Sequence, residues 1–110
     1  KKNKAIFLIA CGCSIATSTM VSEILNEDLV RQKKYKVVFN HCKTSELLSK
    51  VDMIHPDIVI TTAPIDKEWI KKWEEEGVYY FKGTPFLTGI GDEPIMEKII
   101  SLLDDWGLKS

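Results

Sequence analysis

The chain has 110 residues, a formal net charge of −1, 45% hydrophobic residues and 28% charged ones. That length fits one domain, residues 1–110, and the apolar share is enough to fill a core, which excludes wholesale disorder. The balanced charge excludes the basic excess that nucleic-acid or anionic-membrane binding requires.

The first segment, Ala5-Ile6-Phe7-Leu8-Ile9-Ala10, is a continuous apolar run of strand formers. It predicts a strand buried on both faces, as in a parallel sheet. The run ends at Cys11, far short of the roughly 20 residues of a membrane span. Lys1, Lys2 and Lys4 precede it, but Gly12 and the polar residues Ser14, Thr17, Ser18 and Thr19 follow at once, unlike a secretion signal. A cytoplasmic location is therefore expected. A helix is predicted from Thr17 or Ser18, whose hydroxyls can cap free amides, to near Lys34. Met20, Ile24 and Val30, with Val21, Leu25 and Leu29 alongside, form its apolar stripe. Glu23, Glu27 and Asp28 precede Arg31, Lys33 and Lys34, the charge order that a helix dipole favours.

Lys36-Val37-Val38-Phe39-Asn40-His41 predicts the second strand, after which Thr44 caps a short helix through Leu47, Leu48 and Val51. Pro56-Asp57 introduces a third strand, Ile58-Val59-Ile60-Thr61-Thr62. Asp66 or Lys67 to about Glu75 is helical, with Trp69, Ile70 and Trp73 on one face and Gly77 just past the end. Val78-Tyr79-Tyr80-Phe81 is the fourth strand, followed by a Gly/Pro-rich loop over residues 83–91. Asp92 is a good N-cap for the last helix, with Pro94 in its first turn and Ile95, Ile99, Leu102, Leu103 and Trp106 on its buried face. Strands and helices therefore alternate. The order predicts an α/β fold: a four-stranded parallel sheet flanked by helices on both faces, a Rossmann-like three-layer sandwich with right-handed crossovers.

The cysteines are Cys11, Cys13 and Cys42, an odd count that argues against a disulfide scaffold. Cys11 and Cys13 are too close together for an ordinary zinc pair, and C-x-C is not the redox C-x-x-C. No metal site or redox centre is expected, even with His41 beside Cys42.

Cys11 stands where a buried strand stops and a turn leads into a helix, the end of a parallel sheet at which ligands bind. Loop amides and the helix N-terminus make that position an anion site and favour a thiolate. A thiolate in a phosphate-sized cradle is a phosphoryl acceptor. Gly12, Ser14 and Ala16 are small enough for a tight loop, and the hydroxyls of Ser14, Thr17 and Ser18 can add hydrogen bonds. The plain alternative is a small buried residue ending a strand, and Cys13 reads as loop filler. A phosphatase loop of the C-x5-R type clamps its phosphate with Arg, but Thr17 occupies the Arg position here and the loop has no Arg. Such a loop can hold a phosphate and is poorly built to pass it to water. His41 reads as a strand-end residue before a second phosphoacceptor, and Asp66 as a helix N-cap before a general acid.

The segment Ala10-Cys11-Gly12-Cys13-Ser14-Ile15-Ala16-Thr17-Ser18-Thr19-Met20 resembles the phosphocysteine loop of the galactitol-type enzyme IIB of the bacterial phosphoenolpyruvate:sugar phosphotransferase system. Thr61-Thr62-Ala63 and Gly83-Thr84-Pro85-Phe86-Leu87-Thr88-Gly89-Ile90-Gly91 also resemble that family. Cys13 departs from its pattern, where a small residue without a thiol is usual. The resemblance implies a phosphocarrier in which Cys11 accepts a phosphoryl group from a phosphohistidine on enzyme IIA. It further implies transfer to a sugar or polyol imported through the membrane enzyme IIC. Gly12, Cys13, Ser14, Ile15, Ala16, Thr17 and Ser18 would hold the phosphate, with no cofactor or metal and no nucleic-acid partner. The protein would be cytoplasmic and meet the membrane through enzyme IIC. The rival readings are a Cys-dependent phosphatase or arsenate-reductase-like enzyme, and a IIB-like regulatory interaction domain.

Overall fold

Strand and helix alternate along the chain in the computed structural model, which describes residues 4–11, 15–32, 35–62 and 65–108, the side chains of 11, 15–19, 32 and 87 excepted. The elements are β1 (Ala5–Cys11), α1 (Ile15–Leu25), β2 (Val37–Lys43), α2 (Leu47–Ile54), β3 (Ile58–Thr61), α3 (Lys67–Glu75), β4 (Tyr79–Lys82), α4 (Thr84–Thr88) and α5 (Asp92–Asp105). The four strands form one sheet in the order β2-β1-β3-β4, with every pairing parallel. β1 and β3 are the inner strands. That is why their sequences are apolar without alternation: Ala5, Phe7, Leu8, Ile9, Ala10, Ile58, Val59 and Ile60 are all fully buried.

The sheet has a core on each face. On one, Phe7, Ile9, Ile58 and Ile60 meet Val21 and Leu25 of α1 and Ile99 and Leu103 of α5. On the other, Leu8, Ala10 and Val59 meet Leu47 and Val51 of α2 and Trp73 of α3. The strand period of two sorts neighbouring residues to opposite faces, and the result is the three-layer sandwich read from the sequence.

Several boundaries differ from the sequence reading. α1 opens at Ile15, ahead of Thr17, so Thr17 and Ser18 lie within the helix and not at its N-cap position. The helix continues as a π-helical segment over Asn26–Gln32, which turns more widely than an α-helix. Its buried line is Val21, Leu25 and Leu29, while Met20 is 52% exposed. The predicted end near Lys34 lies outside the described residues.

β2 runs two residues past His41, to Lys43. Thr44 opens a 3-10 turn, Thr44–Glu46, but makes no capping bond; its hydroxyl oxygen is buried without a hydrogen-bond partner. β3 stops one residue short of Thr62, and β4 begins and ends one residue later than predicted. The stretch 83–91 is not all loop. Pro85 in the first turn and Gly89 at the left-handed end (φ 75°) frame the short helix α4. Gly91, at φ 79°, takes the N-cap position of α5, so Asp92 sits inside the first turn, where with Glu93 it still faces the positive end of the dipole.

Candidate functional site

The carboxyl ends of the strands come together at one edge of the sheet. In the centre, β1 reaches its end at Cys11, and the backbone resumes as α1 at Ile15. Pairing with strands on both sides fixes where the backbone of Cys11 stands. The ladder pairs Ala10 with Cys42 on one side and with Thr61 on the other, and the Thr62 amide donates to the Ala10 carbonyl at 3.2 Å. The first turn of α1 holds no acidic residue, so no carboxylate there offsets the partial positive charge of the helix amides. Of the residues expected to cradle a phosphate, Gly12, Cys13 and Ser14 lie outside the described residues. Ile15, Ala16, Thr17 and Ser18 form the opening turn of α1.

Beside this edge, Thr61 is buried and its hydroxyl is 2.9 Å from that of Tyr80, which ties β3 to β4. The groove between the ends of these strands has a volume of about 420 Å³, with Thr61, Thr62, Ile65, Lys67, Lys82 and Thr84 among its lining residues. Among the described residues its lining holds two lysines and no carboxylate. Phe86 of α4 is buried in the α1–α5 core, while Ile90 beyond it is 79% exposed. The segment is thus partly packed down and partly exposed.

The structure moves His41 away from the position predicted for it. Because β2 runs on to Lys43, His41 pairs with Ile9 and Lys43 pairs with Cys11. Sequence reasoning missed Lys43 because it ended the strand at His41. Buried Cys42 is the apolar signal that would have extended it. Asp66 occupies the N-cap position of α3 with extended backbone, but its side chain makes no capping bond and is exposed. Its carbonyl serves instead, accepting from the amides of Trp69 and Ile70.

Cys42 is poorly suited to chemistry. Burial, then the negative charge of Glu46, push its thiol up to about 11, only partly offset by Lys50. Among the described residues no group of three or more His, Cys, Asp or Glu side chains could hold a metal ion.

A parallel α/β sheet whose central strand ends where a helix soon opens defines a class of protein that binds its ligands at the carboxyl ends of the strands. Relatives narrow the class. The chain is 31% identical over 100 residues to the galactitol-specific EIIB component of the PTS system of Escherichia coli (strain K12), covering 91% of this chain and 97% of that protein. The solution structure of an enzyme IIB subunit of the PTS system from Escherichia coli K12 matches with a TM-score of 0.55 at 20% identity, covering 97% of this chain and 99% of the other. The lactose-specific IIB component domain from Streptococcus pneumoniae matches with a TM-score of 0.53 at 18% identity, over 77% of this chain and 83% of that one. These two structures share its fold. No protein-family model matches the chain.

The chain belongs to the galactitol-type enzyme IIB family of the phosphoenolpyruvate:sugar phosphotransferase system. It is a phosphotransferase component with a phosphocarrier role in sugar transport. Components of this family act with an enzyme IIA and an enzyme IIC. Among the described residues no helix is long and apolar enough to cross a membrane.

Proposed function

We propose that Cys11 is the phosphoryl acceptor, and that it passes the group from a phosphohistidine of enzyme IIA to a polyol of the galactitol type imported by a membrane enzyme IIC. The observation that carries this reading is the end of the buried strand β1 at Cys11, followed by the opening of α1 at Ile15. Backbone amides there can hold phosphoryl oxygens, and the helix dipole favours the dianion. The loop through Gly12, Cys13 and Ser14 to Ser18 supplies no Arg, which favours retention of the group on sulfur over its release to water. Residues 1–110 act as one domain, at the cytoplasmic face where enzyme IIC presents its substrate.

The test is phosphoryl transfer from phosphoenolpyruvate through the general phosphotransferase proteins and a galactitol-type enzyme IIA. Wild type, Cys11→Ser and Cys13→Ser are compared by intact mass and phosphorus NMR. A single S-phosphate, lost only in Cys11→Ser, is expected. Turnover of a phosphate ester, with no labelling by several IIA partners, overturns the carrier assignment of Cys11 and favours hydrolysis.

A further inference from the structure

We propose that Lys43 supplies the positive charge that the Cys11 loop lacks, its ammonium reaching the reacting group on Cys11. The inference rests on Cys11 as the acceptor. From residue 11 to residue 30 the sequence contains no Lys, Arg or His, so no side-chain cation of the loop or of α1 joins the backbone amides in balancing a thiolate or an S-phosphate. The backbone register supplies the missing cation. Cys11 and Lys43 are Cα partners in the last pair of the β1–β2 ladder. Adjacent strands lie roughly 4.7–4.9 Å apart, and paired positions share a face of the sheet. The four-carbon stem of a lysine spans that gap. Lys43 is exposed at the very end of its strand and is in no ion pair among the described residues.

The surrounding charges leave it available. Glu46, in the turn after β2, is the carboxylate near it in sequence, and it acts on Cys42. His41 lies two positions back along β2, and Lys50 lies on α2. β3 brings only the uncharged Thr61 and Thr62 to this edge, β4 brings Lys82, and the first turn of α1 has no acid. Among the described residues, the neighbouring strand position thus places a lysine one ladder step from Cys11.

The chemistry balances with Lys43 making and breaking no covalent bond. The Cys11 thiol loses its proton to water, and the thiolate sulfur attacks the phosphorus of the donor phosphohistidine. An S–P bond forms and the P–N bond breaks. The ring nitrogen keeps the electron pair, takes up one proton and leaves as neutral imidazole. In the return step an acceptor hydroxyl attacks phosphorus and loses its proton to solvent, and the S–P electron pair returns to sulfur. The ammonium favours the thiolate in the first step and the leaving sulfur in the second.

The test uses the Cys13→Ser chain, with and without Lys43→Met or Lys43→Arg. Alkylation of Cys11 is followed across pH by peptide mass, and labelling is followed from phosphorylated galactitol-type enzyme IIA. Lys43→Met should raise the apparent thiol pKa of Cys11 by about one unit and slow labelling at neutral pH roughly tenfold. Lys43→Arg should restore both, and circular dichroism should match in all three. A Lys43→Met chain with the parent pH profile and labelling rate overturns the proposal alone. Labelling of Cys11→Ser at the wild-type rate overturns the acceptor assignment and the proposal with it.

Discussion

The amide of Gly83 donates a 2.7 Å hydrogen bond to the carbonyl of Thr61, so the first residue after β4 is tied to the last residue of β3. The approach is close because Gly83 has no side chain. A Cβ there would lie 3.0 Å from Cγ2 of Ile60, 3.2 Å from Cγ2 of Thr62 and 3.3 Å from the carbonyl oxygen of Thr61. Thr61 and Thr62 also line the groove between the ends of β3 and β4. Gly83→Val crowds these atoms, and overpacking of this kind costs about 1–3 kcal/mol. Urea denaturation should show the lower midpoint, and labelling of Cys11 should slow as the edge opens. An unchanged midpoint would mean that the neighbouring methyls yield without loss.

At the opposite edge, the carboxylate of Asp57 accepts from the Ile6 amide at 2.9 Å, and the Asp57 amide donates to the Ile6 carbonyl at 2.8 Å. The pair closes the amino end of the β1–β3 ladder. Asp57→Ala leaves the part-buried Ile6 amide without this acceptor and should lower stability by about 1–3 kcal/mol. Asp57→Asn keeps a side-chain oxygen and should lose less. Because this edge is far along β1 from Cys11, both variants should label at the wild-type rate while folded. Thermal melts paired with labelling rates would check this, and a labelling defect in folded Asp57→Asn would contradict it.

Apolar patterning made the inner strands legible, because burial on both faces leaves few alternatives for Ala5 to Ala10 or Ile58 to Ile60. The edge strand β2 was less so. It mixes exposed and buried positions, and its end at Lys43 depends on pairing with β1 rather than on local sequence. The same limit hid the neighbour of Cys11, since a register is a relation between two segments. Caps were misread for a related reason. Thr17, Thr44 and Asp92 have the chemistry of N-caps, but the backbone enters each helix earlier or by a different turn. The end of β1 at Cys11 was legible from the apolar run that precedes it.

Cys42 should behave as an inert thiol. Its pKa, pushed up to about 11, leaves little thiolate at pH 8, and the side chain is buried against Leu47 and Val51. Iodoacetamide at pH 8 should leave Cys42 unmodified in the folded chain and modify it once urea unfolds the domain. Peptide mass mapping would show the difference, and rapid modification of folded Cys42 would count against this packing.

Tyr35 joins the π-helical end of the first helix to the last helix. Its amide donates to the Leu29 carbonyl at 2.7 Å, and its hydroxyl donates to the Asp104 carboxylate at 2.7 Å. Burial raises its pKa from 10.0 to about 12, and the hydrogen bond and negative charge of Asp104 act in the same direction. The folded state therefore holds this proton more tightly than the unfolded chain does. The contribution of Tyr35 to stability is full below about pH 10 and is lost as pH rises through about 12. Tyr35→Phe keeps the ring but removes the donor. Because Asp104 is exposed and can be rehydrated, the loss should be only about 1 kcal/mol at neutral pH. Denaturation series from pH 8 to 12 should show wild-type stability falling toward that of Tyr35→Phe, whose own curve should be flatter. Parallel curves across that interval would show that the hydroxyl is not buried against Asp104 in solution.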